Sequence, residues 1–236
     1  MNRKPVPTEA MAITSINQPL RLWHLISAAL PVGAFHYSQG LEAAVQQGWI
    51  NDRRSAQAWI CAGLHHSLAH VDLPLLARAW HAWHHRNEDD LSTWNAYLRA
   101  CRETAELRAE DADMGAALMR LADAWDEPRP QTALGYTAMF AVLCVNNRIS
   151  VQDTLMGYAW SWCENMSLAA IKMVPLGHLS GQLMLRELSG EIEAAVSNAR
   201  QAAVIDNGMQ TIGAGLPGMV LASMLHEQQH SRVFRS

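Results

Sequence analysis

Charge is scarce in this sequence. Of its 236 residues only 17% are Asp, Glu, Lys or Arg, against about 25% in an ordinary soluble protein. Half of the residues are apolar, so a folded monomer would leave much uncharged surface in water, and some of it is expected to be covered by partners or a second copy. Basic charge is not in excess either. The net charge is −4 and the pI about 6.2, which argues against a generic nucleic-acid binder, since neutralising phosphates requires a basic footprint. Cysteine is sparse and never paired as CxxC: Cys61, Cys101, Cys144 and Cys163 stand far apart inside apolar helical patterns. They read as reduced, mostly buried thiols of a cytoplasmic protein.

Long apolar runs are missing too. Those at 133–145 and 155–162 fall short of the ~20 residues a membrane span needs. Two basic residues open the chain without an apolar stretch behind them, so no signal peptide is expected. Nor does any segment alternate apolar and polar residues with the β-branched content of a strand. The fold class expected is therefore all-α, a single domain of about ten helices forming a bundle. Residues 1–16 read as a flexible N-terminal arm, 17–205 as the helical domain, and the glycine-rich 206–236 as a flexible C-terminal arm that orders on a partner.

Catalytic signatures are absent as well. There is no GxSxG, no HExxH and no Lys-Ser/Thr after Gly213-Ala214-Gly215-Leu216-Pro217-Gly218, which also lacks a preceding strand. The chain is read as no enzyme, with no cofactor and no resident metal. Eleven histidines invite a metal nevertheless. His66 with His70 and His81 with His85 have the i,i+4 spacing that can place two imidazoles on one ion. Nothing in the pattern supplies a third ligand, so a solvated histidine-rich surface is the reading, and His226 with His230 is a similar pair on the arm. Glu164, in an apolar helix, reads as a buried acid held by polar partners.

Expected helices run from Asn17 and Pro19 to Leu30; from Ser38 to Gln47, stopped by Gly48; from Asp52 or Ser55 to His70; and from Asp72, as cap, through Trp83. Ser92 is expected to cap the next, through Leu107, with Arg102 and Glu106 as an i,i+4 pair on a solvated face. Met114 to Trp125 continues before the break Asp126-Glu127-Pro128-Arg129-Pro130. The segment from Thr132 to Val145 is apolar around its whole circumference and should be central. Ser150 with Asp153 suggests a capping box opening a helix toward Met173. Leu176 to Leu188 and Glu191 to Val204 follow, separated by Ser189-Gly190.

Most unusual is the turn Leu30-Pro31-Val32-Gly33-Ala34-Phe35-His36-Tyr37-Ser38-Gln39-Gly40-Leu41-Glu42. Pro31 disfavours helix in the residue before it, Gly33 permits a backbone turn, Ser38 can cap a new helix, and Glu42 falls in that helix's first turn. Phe35, His36 and Tyr37 then lie on a helix–helix connector, either filling a corner or forming a recognition loop.

This turn resembles the N-terminal signature of the urease accessory protein UreF family. Three further segments resemble that family in the same order: CRETAELRAEDADMGAALMRL at 101–121, IKMVPLGHLSGQ at 171–182 and HEQQHSRVFRS at 226–236. His178, His230 and Val233 depart from the family's usual Gln, Tyr and Leu. The resemblance implies a dimeric all-α adaptor that bridges a UreD/UreH-type scaffold protein and a UreG-type GTPase, in the complex that inserts nickel into apo-urease. Implied alternatives are an activator of that GTPase, presenting Lys172 or an arginine, and a direct nickel carrier using the histidine pairs. By the same resemblance the partner-binding residues are Pro31, Gly33, Phe35, Tyr37, Ser38, Gly40, Glu42, Lys172, Ser231, Arg232, Phe234, Arg235 and Ser236.

Overall fold

The computed structural model describes residues 19–204, 212–213 and 215–236. The expected N-terminal arm and the first part of the expected C-terminal arm lie outside them. Among the described residues there are ten α-helices and no strand: α1 over 19–25, α2 Leu41–Gln46, α3 Arg53–Gly63, α4 Asp72–His84, α5 Glu88–Ala100, α6 Ala105–Ala124, α7 Tyr136–Asn146, α8 Val151–Met173, α9 His178–Val204 and α10 Pro217–Glu227. A short 3₁₀ turn occupies Ala34–His36, and α3 runs on into a π turn, Leu64–Leu68.

The all-apolar segment is central, as its pattern requires. Thr137 to Cys144 are all buried in α7, which packs against α4 and α6, while α8 and α9 pair with each other and both contact α4. Side chains from Leu25 to Ala222 join in one core. Each fully buried Leu, Ile or Phe of such a core contributes about 1.5–3 kcal/mol from removal of apolar surface from water.

Several expected boundaries shift, each for a local reason. The helix expected from Ser92 through Leu107 begins at Glu88, capped by Asn87, whose side chain accepts from Asp90 N at 3.1 Å. It then stops at Cys101, because Thr104 is extended and its hydroxyl accepts from Leu107 N, starting α6 afresh. Arg102 and Glu106 are consequently not a solvated i,i+4 pair. Arg102 turns inward to Asp72, while Glu106 bonds elsewhere. Asp72 is not a cap but sits within the first turn of α4, its carboxylate occupied by Arg102. Ser189-Gly190 does not divide α9. The Ser189 hydroxyl donates to Arg186 O at 2.6 Å, and one exposed glycine costs only ~1 kcal/mol, too little to break a helix packed on α8 and α4. Asp52, rather than Ser55, caps α3, the two forming a reciprocal capping box, while the expected box at Ser150/Asp153 is only half made: the Ser150 hydroxyl accepts from Asp153 N at 3.1 Å and donates to the Asp153 carboxylate at 2.7 Å.

Residues 217–236 belong to the expected C-terminal arm. Here α10 packs against α2 and α6, and the last residues lie on the chain's own body with Phe234 and Ser236 buried.

Candidate functional site

The turn at 30–42 owes its shape to two glycines in left-handed backbone, Gly33 at φ +80° and Gly40 at φ +83°. Gly33 starts the 3₁₀ turn, in which His36 N donates to Gly33 O at 3.0 Å and Tyr37 N to Ala34 O at 3.1 Å. Gly40 allows a helix to come close: a Cβ there would stand 2.7 Å from Ser223 N on α10. The Ser38 hydroxyl accepts from Glu42 N at 3.3 Å, so it does stabilise the start of α2, although that helix begins at Leu41 with Gly40 as its cap.

The C-terminal residues fit into this turn. Ser38 donates to Ser236 O twice, through its backbone N–H and its hydroxyl, each at 2.7 Å. Arg235 N donates to His36 O at 2.7 Å. The Glu42 carboxylate is almost fully buried and accepts from Val233 N at 2.8 and 3.1 Å and from Phe234 N at 2.8 Å. Its charge therefore serves less as a partner of the α2 dipole than as an anchor for the tail backbone.

Glu42 Oε2 is also 3.3 Å from Nε2 of the fully buried His226, whose Nδ1 lies 2.6 Å from Glu106 Oε2. Both ring nitrogens thus face carboxylate oxygens. Arg232 pairs with Glu106 and donates to Gln229 O and Glu227 O at 2.7 and 2.8 Å, closing the C-terminal end of α10. Glu227 in turn accepts from Ala105 N at 2.8 Å and Glu106 N at 3.2 Å, the free N–H groups at the start of α6.

Beneath the tail lies a second layer of carboxylates. Glu110 accepts from the Ser236 hydroxyl and the Gln39 amide, both at 2.7 Å. Burial pushes its carboxyl up to about 7, against the lowering effect of those two bonds. Tyr37 is buried, its hydroxyl 3.3 Å from Asp113 Oδ2, and desolvation raises its phenol above the usual range.

Deeper still, Arg102 holds Asp72 through two contacts of 2.5 and 3.2 Å and lies 3.7 Å from Asp111. Thr137 and Tyr158 donate to the same Asp72 oxygen at 3.3 Å. The paired carboxylates keep Arg102 firmly protonated despite its burial, which opposes that charge. Between these layers is a cavity of about 140 Å³, bounded among others by Phe35, Gln39, Arg102, Glu110, Glu164 and Leu216. That volume has room for several waters beside its polar wall. Glu164 is half-buried there, and burial alone raises its carboxyl.

The thirteen residues singled out in the sequence thus divide by direction. Tyr37, Ser38, Gly40, Glu42, Phe234 and Ser236 point inward and hold the corner together, whereas Pro31, Phe35, Lys172, Ser231, Arg232 and Arg235 are exposed and Gly33 is half-exposed. Lys172 reaches in from α8, its Nζ 5.3 Å from the Phe234 ring and 5.9 Å from the Phe35 ring, within cation–π range of both. Sequence reasoning passed over Gln39 and Glu110, and read Glu106 as a surface ion-pair partner and His226 as half of a surface histidine pair. The one available signal was burial of charge in an apolar helix pattern at Glu110, which a single sequence does not distinguish from a solvated face.

Of the histidine pairs, His66 with His70 and His81 with His85 stay at or near the surface, whereas His226, expected with His230 on an exposed arm, is fully buried. His66, His81 and His85 are exposed, and His81 and His85 stack with ring centroids 6.4 Å apart. Three of the four segments that carry the family resemblance, 30–42, 101–121 and 226–236, meet in one place, and Lys172 of the fourth lies at its edge.

Comparison with known proteins bears on the family resemblance. The family model described as UreF matches residues 50–189. The urease accessory protein UreF of Alkalilimnicola ehrlichii is 43% identical over 221 residues, covering 92% of this chain and 95% of that protein. That of Teredinibacter turnerae is 43% identical over 224 residues, with 93% and 99% covered. That of Pseudoalteromonas translucida is 38% identical over 244 residues, with 100% and 99% covered.

Proposed function

The chain belongs to the urease accessory protein UreF family, and from that premise we propose that it is a non-catalytic adaptor in urease maturation. It joins a UreD/UreH-type scaffold protein to a UreG-type GTPase, in the complex that inserts nickel into apo-urease in the cytoplasm. The observation that carries this reading is the tail-and-turn site. Its inward groups fix the backbone, and its outward groups, Phe35, Val233 and Arg235, are exposed, as are Leu221 and Met224 of α10. Exposed aromatic and arginine side chains on a rigid frame are the usual anchors of protein interfaces. A second copy of the chain is part of the proposal and would draw on the remaining exposed apolar residues, such as Trp49 and Leu183.

The test is co-expression with both partners followed by sizing. Phe35→Ala with Arg235→Ala, both on the surface, is expected to leave the chain folded and to abolish the complex with the scaffold. Complex formation at wild-type yield would overturn these exposed groups as the docking surface. A second reading, activation of the GTPase by an inserted cation, is favoured by the exposure of Lys172 above two aromatic rings. GTP hydrolysis by the partner that is unaffected by saturating wild-type chain would exclude it, while acceleration lost in Lys172→Ala would favour it.

A further inference from the structure

Where α3, the π turn that extends it and α9 meet, three donors of different chemistry converge. Cys61 and His65 are four residues apart, the first on α3 and the second in the π turn that extends it, and Glu191 comes from α9. The Cys61 sulfur, a His65 ring nitrogen and a Glu191 carboxylate oxygen all lie within 4.8 Å of one another. We propose that Cys61, His65 and Glu191 form a binding site for a thiophilic divalent transition-metal ion, for which Zn²⁺ is the probe that suits the donor set best.

Donor chemistry narrows the ion. A thiolate and an imidazole disfavour Mg²⁺ and Ca²⁺, which take oxygen ligands, and one sulfur, one nitrogen and one oxygen match the mixed sets that hold Zn²⁺. Three protein ligands leave the fourth tetrahedral position open to water or to an exchanging ligand, which is the form of a site from which an ion can be released. The dimensions also fit. Metal–ligand bonds of about 2.0–2.3 Å place ligand atoms roughly 3.3–3.8 Å apart in a tetrahedron. The trio therefore needs to contract by about 1 Å at its widest, while His65 and Glu191, now in contact at 2.7 Å, move apart.

The groups are free to make that adjustment. Glu191 has half of its side chain exposed, and a π turn, a form frequent at functional sites, carries the histidine. Burial and the neighbouring Glu191 carboxylate raise the Cys61 thiol. An ion between them reverses the local field, so binding deprotonates the thiol and releases a proton. The site shares no residue with the tail-and-turn cluster and does not depend on the proposed adaptor role.

The experiment uses the full-length chain, stripped of metal with a chelator and titrated with Co²⁺ as a spectroscopic probe and Zn²⁺ against a chromophoric chelator. One Co²⁺ per chain is expected, with a near-ultraviolet thiolate-to-cobalt charge-transfer band. Cys61→Ser should remove that band, and His65→Ala and Glu191→Gln should each weaken Zn²⁺ by at least about tenfold. His81→Ala/His85→Ala should change neither. Absence of the band in the wild-type chain at excess Co²⁺ overturns the proposal without reference to any variant. So does a band that survives Cys61→Ser, or binding that is lost in the His81/His85 double variant instead. Unaltered Zn²⁺ affinity in Glu191→Gln, a surface substitution that leaves the helix intact, reduces the His65–Glu191 contact to a structural bond and overturns the three-ligand site.

Discussion

Replacing Glu42 by alanine is the sharpest perturbation of the tail-and-turn site. In the folded chain this buried carboxylate accepts from the backbone of Val233 and Phe234 and faces His226. Truncation leaves two amides and an imidazole nitrogen without an acceptor, in a place water does not readily reach. Breaking a buried, hydrogen-bonded charge set by removing one partner costs about 3–5 kcal/mol, and at ~1.4 kcal/mol per decade even the lower figure weakens tail docking by roughly a hundredfold. Native-state hydrogen exchange reads this directly, because local opening of the tail exposes its amides without unfolding the core. The amides of Val233, Phe234 and Arg235 should accelerate together in Glu42→Ala, and that of Ser38, which donates to Ser236 O, should follow. Glu42→Gln keeps one acceptor oxygen and should fall between, at about 1–2 kcal/mol. Unchanged protection at Val233 and Phe234 in Glu42→Ala would refute the assignment of the carboxylate as the tail's anchor.

Two further outcomes follow from the same region. Glu110 has its carboxyl pushed up to about 7 in the folded chain from an ordinary 4.5, so its contribution to stability is fully present below the unfolded value and is lost as pH rises through the folded one. Urea unfolding of the wild type at about pH 5.5 and about pH 8 should therefore show a loss, up to about 2 kcal/mol, that Glu110→Gln lacks; equal pH dependence in both proteins would contradict it. Gly40→Ala combines left-handed backbone, about 1–2 kcal/mol, with a Cβ 2.7 Å from Ser223 N. Gly48→Ala meets similar backbone, φ +75°, with nothing within 4 Å. Thermal unfolding should show Gly40→Ala as the more damaging by about 1–3 kcal/mol, and equal effects would mean that α10 does not rest on the turn.

The sequence by itself determined the helical class, because apolar spacing along the chain is a local property that survives without knowledge of neighbours. It placed α7 at the centre through its lack of a polar face, and it marked the Asp52 and Ser150 caps through side chains that bond three residues away. It also marked the four segments that resemble the UreF family. What it left open was direction and partnership. Arg102 and Glu106 have the spacing of a surface pair, yet the extended Thr104 turns one toward Asp72 and the other toward His226. Residues 38–42 and 226–236 are nearly two hundred positions apart, and nothing local to either shows that Glu42 holds the tail. Only the tertiary structure decided that, since a buried carboxylate must take its hydrogen-bond donors from whichever part of the chain the fold brings within reach. Here the donors come from the last turn of the sequence.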